Sequence, residues 1–167
     1  MCQNFESAIA VIGIDIGKNS FHIAGQDRRG VLLLRQKWSR GQVEARLANL
    51  PPCLIGMEAC GTSHHWAREL VGLGHQVRLM PPAYVKPYVK RGKTDAGDAE
   101  AICKAVTRPT MRFVPIKSVE QQAALALHRT RDLLVRQRTQ LVAVGDLHLP
   151  AEVARADLAE ARIRTEE

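Results

Sequence analysis

Residues 8–17, AIAVIGIDIG, form a nearly unbroken apolar run rich in β-branched side chains. That is the pattern of a central strand covered on both faces. One acid, Asp15, interrupts it near its end. SFHIAGQ (20–26) alternates and reads as a second strand, DRRG (27–30) is turn chemistry, and VLLLRQK (31–37) reads as a third strand. Together they predict an antiparallel meander. The period then lengthens. Ser39 and Gln42 fit a capping box, and Val43, Leu47 and Leu50 share one helical face that stops at Pro51 and Pro52. CLIGMEA (53–59) is a fourth short strand and again carries an acid, Glu58, near its C-terminal end. TSHHWARELVGLG (62–74) predicts a helix capped by Thr62 or Ser63 and stopped by Gly74. HQVRLMPP (75–82) is a fifth strand. AYVKPYVKRGK (83–93) is a basic connector in which Pro87 blocks a clean long helix. TDAGDAEAICKAV (94–106) predicts a helix that ends before Pro109, and MRFVPI (111–116) is a short extended piece.

From Ser118 the pattern becomes that of one long helix. Ser118 and Gln121 fit a capping box, and Leu127, Leu134 and Leu141 recur every seven residues. Arg129, Arg131, Arg136 and Arg138 give this helix a basic side. Residues 144–167 are Ala- and charge-rich with little apolar periodicity. The expected organisation is therefore an α/β domain over 8–117, a long helical arm over 118–143 and an atypical tail over 144–167. The domain's order, β-β-β-α-β-α-β-α, is that of a ribonuclease H-like mixed sheet, with parallel strands joined through crossover helices.

Composition narrows the chemistry. Lys and Arg total 24 against 17 Asp and Glu, a formal charge of +7. Basic surface of this kind favours a polyanionic partner. The cysteines at 2, 53, 60 and 103 contain no C-x-x-C pair, so they suggest reduced thiols in a cytosol rather than a zinc knuckle. No apolar run is long enough to span a bilayer, and MCQNFES has no basic signal region. A cytoplasmic location is expected.

The strand order has a chemical consequence. If the first and fourth strands are neighbours, Asp15 and Glu58 meet at one sheet edge. Asp95 and Asp98 begin the helix that returns to that edge, and their i, i+3 spacing puts them on one helical face. Four carboxylates at a sheet centre need a counter-charge. Two divalent cations would supply it, and oxygen-only donors favour Mg2+ or Mn2+ over zinc. Each acid also has an ordinary explanation. Asp15 fits a turn before Gly17, Glu58 a solvated strand end, and Asp95 with Asp98 a helix start favoured by the dipole. Cys60, His64 and His65 suggest zinc, but no second Cys or His pair completes a tetrahedral site. Lys18, Lys86, Lys90, Arg91 and Lys93, with Tyr84 and Tyr88 for stacking, suit a nucleic-acid backbone.

Three stretches carry a family likeness: GIDIGKNSFHIA, GMEACGTSHHWARELVGLGHQVRLMPPAYVKPYVKRGKTDAGDAEAI and TRPTMRFVPIKSVEQQAALALHRTRDLLVRQRTQLV. From about Val11 to Val142 the chain resembles the DEDD-type insertion-sequence transposases, relatives of the Piv invertase and bridge-RNA-guided recombinases. The resemblance implies a RuvC-like ribonuclease H fold and maps the family's D, E, D, D metal ligands onto Asp15, Glu58, Asp95 and Asp98. It also implies DNA as substrate, a guide RNA as partner, and a coiled-coil arm that assembles a homo-oligomer and contacts RNA, where Arg129 and Arg136 would serve. Family members carry a second domain with a serine nucleophile. Neither Ser7, Ser20, Ser39, Ser63 nor Ser118 takes that role, so the expectation is a truncated, frameshifted or N-terminal-only copy. The alternatives are a metal-dependent Holliday-junction nuclease and a non-catalytic nucleic-acid-binding remnant. An actin-like kinase, suggested by GIDIGKNS, would need a second phosphate loop and lobe.

Overall fold

The computed structural model describes residues 8–89 and 95–145. The chain divides into two compact units, Met1–Val119 and Glu120–Glu167.

In the first unit five strands form one mixed sheet: β1 (Val11–Ile16), β2 (Ser20–Gln26), β3 (Leu32–Ser39), β4 (Leu54–Glu58) and β5 (Gln76–Met80). Their spatial order is β3-β2-β1-β4-β5. The β1–β2 and β2–β3 pairs are antiparallel, whereas β1–β4 and β4–β5 are parallel. The apolar run of β1 is thus central, paired on both sides. Successive side chains of a strand face opposite sides, so β1 serves two cores. Ile12 and Ile14 join Phe21, Ile23, Ile55, Met57 and Leu79 beneath α1 (Val43–Ala48) and α2 (Ser63–Gly72), which contribute Val43, Leu47, Trp66, Ala67 and Leu70. Val11, Ala24 and Met80 face the opposite layer, where α4 (Asp95–Val106) buries Ala99, Ile102, Cys103 and Val106. Each buried aliphatic side chain contributes roughly 1.5–3 kcal/mol of transfer free energy.

The boundaries follow local causes. β3 runs on to Ser39, past Lys37, because Trp38 is buried opposite Phe21. The Ser39 backbone N–H donates to Gln42 Oε1 at 3.2 Å, but the helix it introduces opens with a 3-10 turn, Arg40–Gln42, and α1 spans only Val43–Ala48. Gly74, at φ +92°, ends α2 as its position suggested, because a left-handed residue there carries no Cβ penalty. His75 is not a strand residue: it is buried, accepting the Cys53 N–H at Nδ1 (3.3 Å) and donating from Nε2 to Leu47 O (3.0 Å). It ties α1 to the start of β4. After β5 come the short α3 (Pro82–Val85) and a 3-10 turn, Lys86–Tyr88, as Pro87 dictates.

In the second unit, α5 (Val119–Gly145) is one 27-residue helix that continues two residues past the expected arm. Leu127, Leu134 and Leu141 are exposed on it at 73%, 59% and 72%. Among the described residues no helix is long and apolar enough to cross a membrane. Residues 146–167 lie outside the described part.

Candidate carboxylate site

The parallel register pairs Ile14 with Met57. One step further along each strand stand Asp15 and Glu58, so the two acids occupy neighbouring positions at the C-terminal edge of the parallel strands. Both share strand parity with Gly13 and Gly56, the positions over which α4 lies. A Cβ on Gly13 would meet the Ala99 carbonyl and lie 2.8 Å from the Cys103 amide nitrogen; one on Gly56 would lie 2.9 Å from Val106 Cβ. Two adjacent strands therefore present bare backbone where the helix crosses. The order of these contacts, Ala99 and Cys103 over β1 and Ile102 and Val106 over β4, brings successive turns of α4 down on the sheet's centre.

Asp95 is the first residue of α4, one turn before Ala99, and Asp98 stands beside Ala99. Asp15, Glu58 and Asp98 are each half-buried. The Asp95 side chain lies outside the described residues. Among the described residues, no group of three or more His, Cys, Asp or Glu side chains is gathered closely enough to hold a metal ion. The register thus brings Asp15 beside Glu58 and places Asp98 on the helix above the same face.

Sequence reasoning missed His22. The β1–β2 hairpin pairs it with Asp15, and its Nδ1 lies 3.9 Å from Asp15 Oδ2. The signal was available: a turn centred on Lys18 and Asn19 makes these two positions opposite. Arg40 was missed as well. Its guanidinium sits 5.2 Å from the Phe21 ring centroid and donates to Gly17 O at 3.4 Å, holding the turn that carries Lys18.

The histidines after Glu58 part company. His64 is buried in α2 and accepts the Lys117 N–H at 3.2 Å, while Arg68 donates to Lys117 O at 2.7 Å. His65 is exposed, 3.6 Å from Glu69. The buried thiols are passive. Burial pushes Cys53 up to about 11 and Cys103 up to about 12.

Of the expected nucleic-acid contacts, Lys18, Lys86, Arg129 and Arg136 are exposed, while Lys90, Arg91 and Lys93 lie outside the described residues. Tyr84 is 44% exposed, and Arg108 lies over Tyr88 at 5.6 Å.

The domain is thus a mixed α/β domain with acids at the ends of two neighbouring parallel strands, and sequence comparison gives its family. The family model for DEDD-type IS110 transposases, described as "Transposase", matches residues 12–148. The chain belongs to that family. It is 55% identical over 130 residues to a Pseudomonas aeruginosa protein named "Probable family 20 transposase", covering 78% of this chain and 38% of that one. It is 50% identical over 140 residues to the transposase for insertion sequence element IS1328 of Yersinia enterocolitica, covering 84% and 41%. To the transposase for insertion sequence element IS1111A of Coxiella burnetii it is 42% identical over 134 residues, covering 80% and 37%. The chain spans about two-fifths of the length of these relatives.

Proposed function

We propose that this chain forms the metal-binding, ribonuclease H-like part of an insertion-sequence transposase, acting on DNA phosphodiesters. The observation that carries the reading is the register that sets Asp15 beside Glu58 on the sheet face crossed by α4, the helix that begins with Asp95. The donor set fits hard divalent cations, because it consists of carboxylate oxygens on neighbouring backbone elements. Asp15, Glu58, Asp95 and Asp98 would hold Mg2+ or Mn2+, which when bound supplies Lewis-acid stabilisation of charge on a phosphodiester.

The chain's own residues account for the rest. Half-burial holds Asp15, Glu58 and Asp98 in surroundings less polar than bulk water, which strengthens their attraction to a cation. The turn pinned by Arg40 holds Lys18 at the same edge as a phosphate contact. Lys86, which is exposed, and Lys90, Arg91 and Lys93, which follow it in the sequence, are read as further backbone contacts. The strand order β3-β2-β1-β4-β5, with one antiparallel side and one parallel side, supports the ribonuclease H-like assignment.

The long helix α5 is read as an assembly arm. Its exposed Leu127, Leu134 and Leu141 supply a seven-residue apolar stripe for a second copy, and Arg129 and Arg136 supply guide-RNA contacts. Strand cleavage and transfer by the whole protein would draw on the remainder of the relatives' length.

The test is divalent-ion binding. Mg2+ or Mn2+ should raise the thermal midpoint by mass action, and Asp15→Asn with Glu58→Gln should abolish the rise. A rise that persists in the double variant would place the ion elsewhere.

A further inference from the structure

The sheet's other end carries a separate feature. At the start of β1, the end of β2 and the last turn of α4, a cavity of about 560 Å³ is lined by Gln26, Arg28, Arg29, Lys104 and Arg108. A second cavity, of about 720 Å³, adjoins it across Arg28 and Arg29. This pole, where β1 begins and β2 ends, is the end of the sheet away from Asp15 and Glu58.

Two of the four cations have an ordinary explanation. Lys104 and Arg108 lie in and just beyond the last turn of α4, where positive charge is favoured by the helix dipole. That explanation does not reach Arg28 and Arg29, which come from the β2–β3 turn and converge on the same cavity. Asp27, the acid at this rim, is already used: its Oδ1 accepts the N–H groups of Arg29 and Val31, each at 2.8 Å. This lets the turn present its arginines outward. Among the described residues none of the four cations forms an ion pair with a carboxylate. Gln26 is 93% buried (7% exposed) and lines the cavity, with no hydrogen bond to its side-chain amide among the described residues. The cavity therefore offers four cations and a buried neutral donor.

We infer that this pole is a second nucleic-acid contact, which grips the phosphodiester backbone of a single strand independently of divalent metal. The choice of occupant rests on the transposase reading, and the location rests on charge and shape alone. Arg28 and Arg29 would clasp successive phosphates, with Lys104 behind them and Gln26 accepting or donating one hydrogen bond.

The test measures binding of the 167-residue chain to a fluorescein-labelled single-stranded oligonucleotide by anisotropy. Chelator is present throughout, and salt is varied. Removing three contacts with Arg28→Ala, Arg29→Ala and Lys104→Ala should reduce the slope of log affinity against log salt by about 2, since each single-strand phosphate contact contributes about 0.7. Affinity at moderate salt should fall at least about tenfold. Arg28→Lys with Arg29→Lys should keep most of the slope. Arg46→Ala, on α1 in the opposite layer, should change it by less than one contact. The carboxylate reading is tested separately: the rise in thermal midpoint with Mg2+ or Mn2+ should be the same in the triple variant as in wild type. An unchanged slope in the triple variant, with its thermal midpoint retained, would overturn the inference and leave the metal reading standing. An equal loss in Arg46→Ala would overturn it too, by showing that only net charge matters.

Discussion

Gly13 of β1 lies directly under Cys103 of α4. A Cβ at Gly13 would approach the Cys103 amide nitrogen to 2.8 Å and its Sγ to 2.9 Å. The same thiol donates to Ala24 O on β2 at 3.1 Å. The helix that begins with Asp95 is seated on the sheet through this contact. Gly13→Ala should therefore destabilise the fold by about 1–3 kcal/mol through overpacking, read from urea midpoints. Cys103→Ala in the Gly13→Ala background should recover only part of the loss, because the helix backbone remains in the way. Full recovery would mean that the sulfur alone sets the spacing.

Asp98→Asn tests whether the acids at the start of α4 cap the helix or bind an ion. The expected outcome is an unchanged midpoint in chelator and a loss of most of the metal-induced stabilisation. A wild-type ion at a hundred times its Kd would contribute about 2.7 kcal/mol. If the variant unfolds without any change in ion affinity, capping is the residue's role.

His64→Ala separates structure from site. This buried ring accepts the Lys117 N–H from the segment leading into α5. Its loss should cost about 1–3 kcal/mol and leave Mg2+ stabilisation intact, because a donor is stranded while the carboxylates are untouched. Loss of ion binding at full stability would instead make His64 part of the site.

The buried thiols set an alkaline limit. Burial raises Cys53 from 9.0 to about 11 and Cys103 from 9.0 to about 12. In the unfolded chain both ionise near 9.0, so their neutral burial stabilises the fold fully below that pH. The contribution declines as pH rises from about 9 through 11 to 12. Urea midpoints should be flat between neutrality and that onset, then fall, and Cys103→Ala should soften the fall. In a Cys2→Ser background, a maleimide should label the exposed Cys60 rapidly and the two buried thiols only on unfolding.

Leu134→Asp tests the arm. Leu134 is 59% exposed at the middle of the Leu127, Leu134, Leu141 stripe. Sedimentation should show wild-type self-association that this charge abolishes without loss of helix content. A monomeric wild-type chain across micromolar concentrations would remove the assembly role.

Much of this was legible in the chain. The β-branched run at 8–17, the pattern at 20–26 and the glycine at 74 define elements through local period and backbone freedom: β1 occupies 11–16 of the first run, β2 spans 20–26, though its last four residues are all buried, and α2 stops before Gly74. Asp15 and Glu58 stood out because charge at the end of an apolar strand is costly without a purpose. Other features were illegible for a physical reason. Which residues oppose one another depends on long-range register, and register follows from how layers bury their faces. The sequence by itself determined the strands, their turns and the presence of acids at strand ends, since these depend on neighbours a few residues away. Tertiary structure decided that Gly13 and Gly56 form the bed for α4. It also decided that Arg28 and Arg29 meet Lys104 and Arg108 at the far pole. Each of those pairings joins residues distant in sequence, and only close packing of helix on sheet brings them within reach.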